Sequence, residues 1–276
     1  MPLDINARSS LCLIIGDPVS HSLSPAMHNA AYASEGVNFV MAAAHVNAEG
    51  LVDALKGARA LRIRGLSVTM PHKVAIMPLL DVVVPTAQAI GAVNTVVMED
   101  GTLTGFNTDW LGILRPLEQR TIVRGKSVAL LGAGGAAQAA LYACTSQGAQ
   151  VTVFNRTVEK AVPIAERFGC KVLPLDEASD LSHFDVIINT TAVGMAPNIS
   201  HSPIPQSAIQ KHHIVFETIY SPAKTKLVQW SEEIGAQTIT GLEMFLEQGA
   251  AQFQLHTGVK APRELMEKIL RSSLGA

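Results

Sequence analysis

Val128–Gln147 reads V-A-L-L-G-A-G-G-A-A-Q-A-A-L-Y-A-C-T-S-Q, and Gly148 follows. A short apolar run enters a glycine-rich turn, and an alanine-rich helical stretch leaves it. Strand, turn and helix in that order, with G-x-G-x-x-A spacing over Gly132–Ala137, make the phosphate-binding corner of a doubly wound α/β sheet. Gly132 allows the tight turn, Gly134 lets the backbone approach a pyrophosphate, and Ala137 keeps helix and strand close. The helix start offers free N–H groups and a positive dipole end. Gly132, Ala133, Gly134, Gly135 and Ala136 are therefore the candidate cradle for a dinucleotide.

Downstream, Val151–Phe154 reads as a strand and Val158–Phe168 as a helix closed by Gly169. Phe184–Thr190 and Ile214–Ile219 are further strands, and Lys224–Ile234 is a helix. Such alternation indicates a parallel sheet covered on both faces. The strand Val151–Phe154 ends in Asn155-Arg156-Thr157, with no acid to hold a ribose 2′-hydroxyl. A carboxylate there would repel a 2′-phosphate, whereas an arginine pairs with one. Arg156, with Asn155 and Thr157 beside it, points to NADP rather than NAD.

Upstream, Leu11–Gly16 is a buried strand. Ser24-Pro25 opens a helix that runs to Glu35, with Ser24 as a plausible cap. Phe39–Val46 is a strand, Ala48–Gly57 a helix and Ile63–Thr69 a strand, and Pro71 suits another helix start. Val93–Met98 and Thr102–Phe106 flank the hairpin signature Glu99-Asp100-Gly101. These residues form a mixed α/β unit. Glu243–His256 and Arg263–Leu270 are helical and have no strand partner of their own.

The 276 residues carry 21 Lys+Arg and 23 Asp+Glu, a net charge of −2. Hydrophobic residues make up 48 % of the chain, which excludes a disordered polypeptide. The absence of a basic excess argues against broad nucleic-acid binding. Cys12, Cys144 and Cys170 lie far apart and include no C-x-x-C pair, which fits small buried hydrophobes in a reducing cytoplasm. The N-terminus lacks a signal-peptide pattern. The most apolar stretch, Val128–Cys144, is too short and too rich in glycine to span a membrane.

Polar clusters gather near strand ends in the first unit. Ser22 and Ser24 alternate within H-S-L-S-P-A-M-H-N, so an extended backbone would put them on one face. Ser67 and Thr69 alternate just before Pro71 and Lys73. Asn94-Thr95 follows Gly91, and Asn107-Thr108-Asp109 closes the unit. Hydroxyls, amides, an amine and a carboxylate suit a small polyhydroxylated ligand. No metal-ligand spacing is present, since H-E-x-x-H is missing and His21 and His28 are seven apart. No G-x-S-x-G elbow supports a serine hydrolase.

Taken together, the motifs resemble the shikimate dehydrogenases over nearly the whole chain. They are H-S-L-S-P-A-M-H-N, S-V-T-M-P-H-K (Ser67–Lys73), G-A-V-N-T (Gly91–Thr95), G-F-N-T-D (Gly105–Asp109), G-A-G-G-A-A, N-R-T, Y-S-P-A-K-T (Tyr220–Thr225) and G-L-E-M-F-L-E-Q-G-A (Gly241–Ala250), in the family's order. The resemblance implies reversible reduction of 3-dehydroshikimate to shikimate with NADPH, in aromatic amino-acid (chorismate) biosynthesis. It also implies an α/β substrate domain with a mixed, mainly parallel sheet, residues 1–109 plus 241–276. A Rossmann-like NADP domain, residues 110–240, is inserted within it, and a hinge motion accompanies such an arrangement.

Residue by residue, Lys73 and Asp109 match the family's catalytic pair. An ammonium stabilises or protonates the alkoxide left by hydride transfer. A carboxylate beside it favours its charged form, so an acid–base role and an electrostatic role both stay open. Ser22 and Ser24 match positions that hold the substrate carboxylate. Thr69, Asn94, Asp109 and Gln248 match contacts to ring hydroxyls, and Tyr220 matches another substrate-side residue. Thr191, Ala192, Val193, Thr218 and Gly241 match the nicotinamide side.

Ser67 stands where many relatives have Asn, which shortens the reach of one ligand hydrogen bond. Glu217 stands where Asp is usual, and Phe106 replaces a common Tyr. The rival readings are a quinate/shikimate dehydrogenase using NAD, a paralogue of altered substrate, and a non-catalytic nucleotide sensor. The expected partner is a small-molecule substrate, with neither nucleic acid nor membrane, and a homodimer is compatible with the reading.

Overall fold

The structure is a computed structural model that describes residues 5–275. The chain divides into two compact units, Met1–Thr108 with Gln248–Ala276, and Asp109–Glu247.

The first unit holds a six-stranded sheet. Its strands are β1 (Ser10–Gly16), β2 (Phe39–His45), β3 (Gly65–Val68), β4 (Val82–Val83), β5 (Thr95–Glu99) and β6 (Thr102–Phe106). Their order is β2-β1-β3-β5-β6-β4. β1 runs parallel to β2 and β3, while β5 is antiparallel to β3 and β6. The β5–β6 turn carries positive φ at both Asp100 (48°) and Gly101 (82°), the mirror-image turn whose twist matches a hairpin. The helices of this stretch are α1 (Ser24–Ser34), α2 (Leu51–Ala60), α3 (His72–Ala75) and α4 (Pro85–Ile90).

Two local readings need correction. Ser24 is the first residue of α1 rather than its cap, and Leu23 occupies the cap position. Ser22 and Ser24 therefore do not share an extended face. Instead Ser22 Oγ accepts the Ser24 N–H at 3.2 Å. The predicted helix Ala48–Gly57 is displaced to Leu51–Ala60, because Asn47 Oδ1 accepts the Gly50 N–H at 2.9 Å. That side-chain turn occupies what would have been the first helical turn.

The second unit holds an all-parallel sheet of β7 (Ser127–Leu131), β8 (Gln150–Asn155), β9 (Lys171–Pro174), β10 (Val186–Asn189), β11 (Ile214–Glu217) and β12 (Gln237–Ile239). The order is β12-β11-β10-β7-β8-β9, so the chain reverses its direction of travel between β7 and β10. Its helices include α5 (Asp109–Glu118), α6 (Gly135–Thr145), α7 (Val158–Arg167) and α8 (Lys226–Ile234). Val128, Leu130, Ile188 and Phe216 enter one core cluster with α6. Ala129, Leu131, Ile187 and Val215 enter another with Phe154 and Leu227. Both sheet faces are thus buried, which explains the unbroken apolar run at Val128–Leu131.

The helix α9 (Gly241–Thr257) carries the chain from the second unit back to the first, and α10 (Arg263–Leu274) follows it. The three cysteines are free thiols; Cys12 and Cys144 are buried and Cys170 is half-buried. Burial pushes the Cys12 thiol up to about 11 and the Cys144 thiol up to about 12. Among the described residues, no helix is long and apolar enough to cross a membrane.

Candidate functional site

In the second unit the glycine-rich turn leaves β7 beside the strand-order reversal, where open α/β sheets place their ligands. Gly132 has φ +106°, and a Cβ there would stand 2.8 Å from Thr190 Oγ1 at the end of β10. The fold itself requires that glycine. Gly134 is different, because a Cβ built on it meets nothing within 4 Å. No protein atom needs the space, so the bare backbone leaves room for a phosphate to approach. Gly134 also occupies the α6 cap position without a side-chain bond. The first N–H groups of α6 therefore lack a capping side chain. Ala137 is fully buried, as close helix–strand packing demands.

At the end of β8, Asn155 Nδ2 donates to Thr157 O at 2.7 Å and closes the turn around Arg156. Arg156 is exposed and has no ion-pair partner among the described residues. Its guanidinium is available to an anion.

Near the reversal, Asn189 Oδ1 accepts from the Thr191 N–H (3.0 Å) and from Thr191 Oγ1 (2.8 Å). The Val193 N–H in turn donates to Thr191 Oγ1 at 3.2 Å. These bonds fix the loop bearing Thr191, Ala192 and Val193. Asn189 Nδ2 meanwhile donates to both carboxylate oxygens of Glu217, at 3.0 and 3.1 Å. Glu217 also accepts from Thr225 Oγ1 (2.8 Å) and from the Ile219 N–H (3.0 Å). One buried carboxylate thus ties the Thr191 loop to the segment Thr218–Tyr220. Burial pushes its pKa up to about 7, against the opposing pull of these donors. Gly241 is required because a Cβ there would overlap the carbonyl oxygens of Ile219 and Thr218. Tyr220 is half-buried and packs edge-on against Phe245 at 4.8 Å between ring centroids. Burial raises its phenol above the ordinary value.

In the first unit, the ends of β3 and β5 collect the polar residues. Lys73 lies on the one-turn helix α3, and its carbonyl accepts the Val93 N–H at 2.8 Å. Asn94, the next residue, is 1 % exposed. Its Nδ2 donates to Thr108 Oγ1 at 2.9 Å, and its Oδ1 accepts the Thr108 N–H at 2.7 Å and Thr95 Oγ1 at 2.8 Å. Asn107 Nδ2 donates to Ala92 O at 2.9 Å. The approach to Asp109, first residue of α5, is thereby locked. Asp109 and Gln248 are both buried.

Gln252 escaped the sequence reading. Its Oε1 accepts from Ser67 Oγ at 2.8 Å and its Nε2 donates to Asn94 O at 3.0 Å. The i+4 spacing from Gln248 was the available signal, since it puts both amides on one face of α9. The same face carries His256, whose ring fills the place a Cβ on Gly65 would take. Gly65 faces His256, and two residues on Ser67 bonds Gln252, one helical turn earlier. Four helical residues rise about 6 Å and two strand residues about 6.6 Å, so these two pairs keep step along β3 and α9.

Three family models match the chain. They are the shikimate dehydrogenase substrate binding domain over residues 14–96, shikimate/quinate 5-dehydrogenase over 117–216, and the shikimate 5'-dehydrogenase C-terminal domain over 241–271. The shikimate dehydrogenase (NADP(+)) of Moorella thermoacetica is 42 % identical, covering 99 % of this chain and 97 % of its own. A crystal structure of a shikimate dehydrogenase in complex with NADP+ superposes with a TM-score of 0.94 at 38 % identity, covering 99 % of each chain. The Thermus thermophilus shikimate 5-dehydrogenase in complex with NADP(H) and shikimate gives 0.89 at 38 % identity, covering 96 % of this chain and all of that one.

Proposed function

This chain belongs to the shikimate dehydrogenase family, and on that premise we propose that it reduces 3-dehydroshikimate reversibly to shikimate with NADPH, in aromatic amino-acid biosynthesis. The observation that carries the cofactor choice is Arg156 at the end of β8, exposed and without an ion-pair partner among the described residues, where a carboxylate would have selected NAD. Gly132, Ala133, Gly134, Gly135 and Ala136 hold the pyrophosphate, and the open space at Gly134 supports that role. Asn155, Arg156 and Thr157 take the 2′-phosphate. Thr191, Ala192, Val193, Thr218 and Gly241 border the nicotinamide.

NADPH, when bound, supplies the hydride to the ketone carbon. The protein must then stabilise the alkoxide and provide its proton. The Lys73 ammonium stabilises that charge where it develops and carries the proton the alkoxide takes up. Asp109, the second member of the proposed catalytic pair, accepts from a ring hydroxyl. Ser22 and Ser24 donate to the substrate carboxylate, while Ser67, Thr69, Asn94 and Gln248 read the ring hydroxyls, with Tyr220 alongside. Hydroxyl and amide donors suit a single carboxylate without requiring a basic surface, in keeping with the low charge content of the chain. Three free thiols support a cytoplasmic setting.

Replacing Lys73 with Met tests the assignment. Turnover falls by roughly a hundredfold or more, the scale of general acid or oxyanion stabilisation, while NADPH affinity is retained. Undiminished turnover would overturn the role.

A further inference from the structure

We propose that Gln252 is a positioning residue for substrate recognition, holding Ser67 as a hydrogen-bond acceptor toward a ring hydroxyl of the substrate. The proposal rests on the shikimate reading and extends it to a residue outside the family motifs quoted above.

What each atom can donate or accept fixes the direction of both bonds. Asn94 O is a carbonyl and can only accept, so the Gln252 group 3.0 Å from it is the amide nitrogen. That fixes the flip of the side chain and turns Oε1 toward Ser67. An amide oxygen also only accepts, so Ser67 spends its single hydroxyl hydrogen on Gln252, at 2.8 Å. Only lone pairs then remain on Ser67 Oγ for a ligand. A serine left to rotate would either donate or accept; this one presents an acceptor, which distinguishes a hydroxyl from a carbonyl.

Ser67 is 2 % exposed and Gln252 3 %, so water does not compete for the bond. The other end of Gln252 is anchored as firmly, because Asn94 O also receives the Val68 N–H at 2.7 Å. Gln252 thus joins the end of β3 to Asn94, and the Asn94 side chain in turn fixes Thr108. The strand and the helix divide the work, a short hydroxyl coming from β3 and an amide from α9.

The experiment is a double-mutant cycle on the full chain with Ser67→Ala, Gln252→Leu and the pair. Initial rates are measured with shikimate at saturating NADP, and with NADP at saturating shikimate. Leu is close to Gln in volume, so packing is kept while both hydrogen bonds go. Gln252→Leu is expected to lower kcat/KM for shikimate by roughly ten- to a hundredfold and to leave KM for NADP within about twofold. In the Ser67→Ala background the same change is expected to have an effect below about threefold, because the residue it orients is gone. Equal effects in the two backgrounds, or a Gln252→Leu enzyme with unchanged kcat/KM for shikimate, would overturn the proposal.

Should Gln252→Leu fail to fold, the pair Ser67→Asn with Gln252→Ala provides the second test. It puts a carboxamide on the strand and empties the space that the Gln252 side chain filled. Recovery of kcat/KM above that of Gln252→Ala alone supports the proposal, and no recovery overturns it. A wild-type chain that does not oxidise shikimate would refute the functional reading instead, so the two failures are distinguishable.

Discussion

Glu217→Gln should change how the stability of the second unit depends on pH. Glu217 is 1 % exposed, and its carboxylate oxygens accept from Asn189, Thr225 and the Ile219 N–H. Burial nevertheless dominates and lifts its pKa from the ordinary 4.5 to about 7. Below pH 4.5 the folded and unfolded chains both hold this proton. Between 4.5 and 7 the unfolded chain releases it while the folded chain keeps it, so stability falls as pH rises. Above 7 both forms are ionised and the penalty is constant.

One pH step in that window is worth about 1.4 kcal/mol, so moving from pH 5 to pH 8 costs the wild type roughly 2–3 kcal/mol through this group. Gln does not titrate, and it cannot contribute to the slope. Urea unfolding at both pH values reads the effect, and Trp110 and Trp230, the only tryptophans, report the second unit by fluorescence. The wild type should lose roughly 2–3 kcal/mol more than the variant between pH 5 and 8. Parallel pH dependence in the two proteins would refute the reasoning. A wild type that gains on the variant would show that the donors outweigh burial.

Two other perturbations have defined outcomes. Arg156→Ala removes a charge-assisted contact worth about 1.5–3 kcal/mol, so KM for NADP should rise roughly ten- to 150-fold while KM for NAD stays within about twofold; equal losses would sink the phosphate assignment. His28 and His256 are fully buried, and burial lowers them to about 3 and about 4, so stability is present above pH 6.5 and is lost as pH falls below it. His28→Phe should therefore gain on the wild type by about 2 kcal/mol between pH 7 and pH 5 in urea midpoints converted to free energy, and an unchanged difference would exclude His28 from the acid limb.

Much of this molecule was legible because its local signals are long or chemically constrained. The Val128–Gln147 stretch announced a strand, a turn and a helix, and all three are present. The Glu99-Asp100-Gly101 turn was readable because positive φ at two successive residues favours such residue types. Three of the edge strands escaped notice: β4, β9 and β12 are two to four residues long, too short for a periodic pattern. The helix α5 was hidden by Pro116 in its interior. At the site, motif residues stood out by spacing, but Gln252 did not. Its role comes from packing against Ser67, which is 185 positions away in sequence. Glu217 was visible only as a departure from a pattern, and its four bonds to three residues become apparent only when β10 and β11 lie side by side.

The central claim is most directly tested by initial rates of the purified chain with shikimate and with quinate, each with NADP and with NAD. kcat/KM should be highest for shikimate with NADP, exceeding shikimate with NAD by at least about tenfold, the least that removing one charge-assisted contact would cost. Preference for quinate with NAD, or no oxidation of either acid, would contradict it.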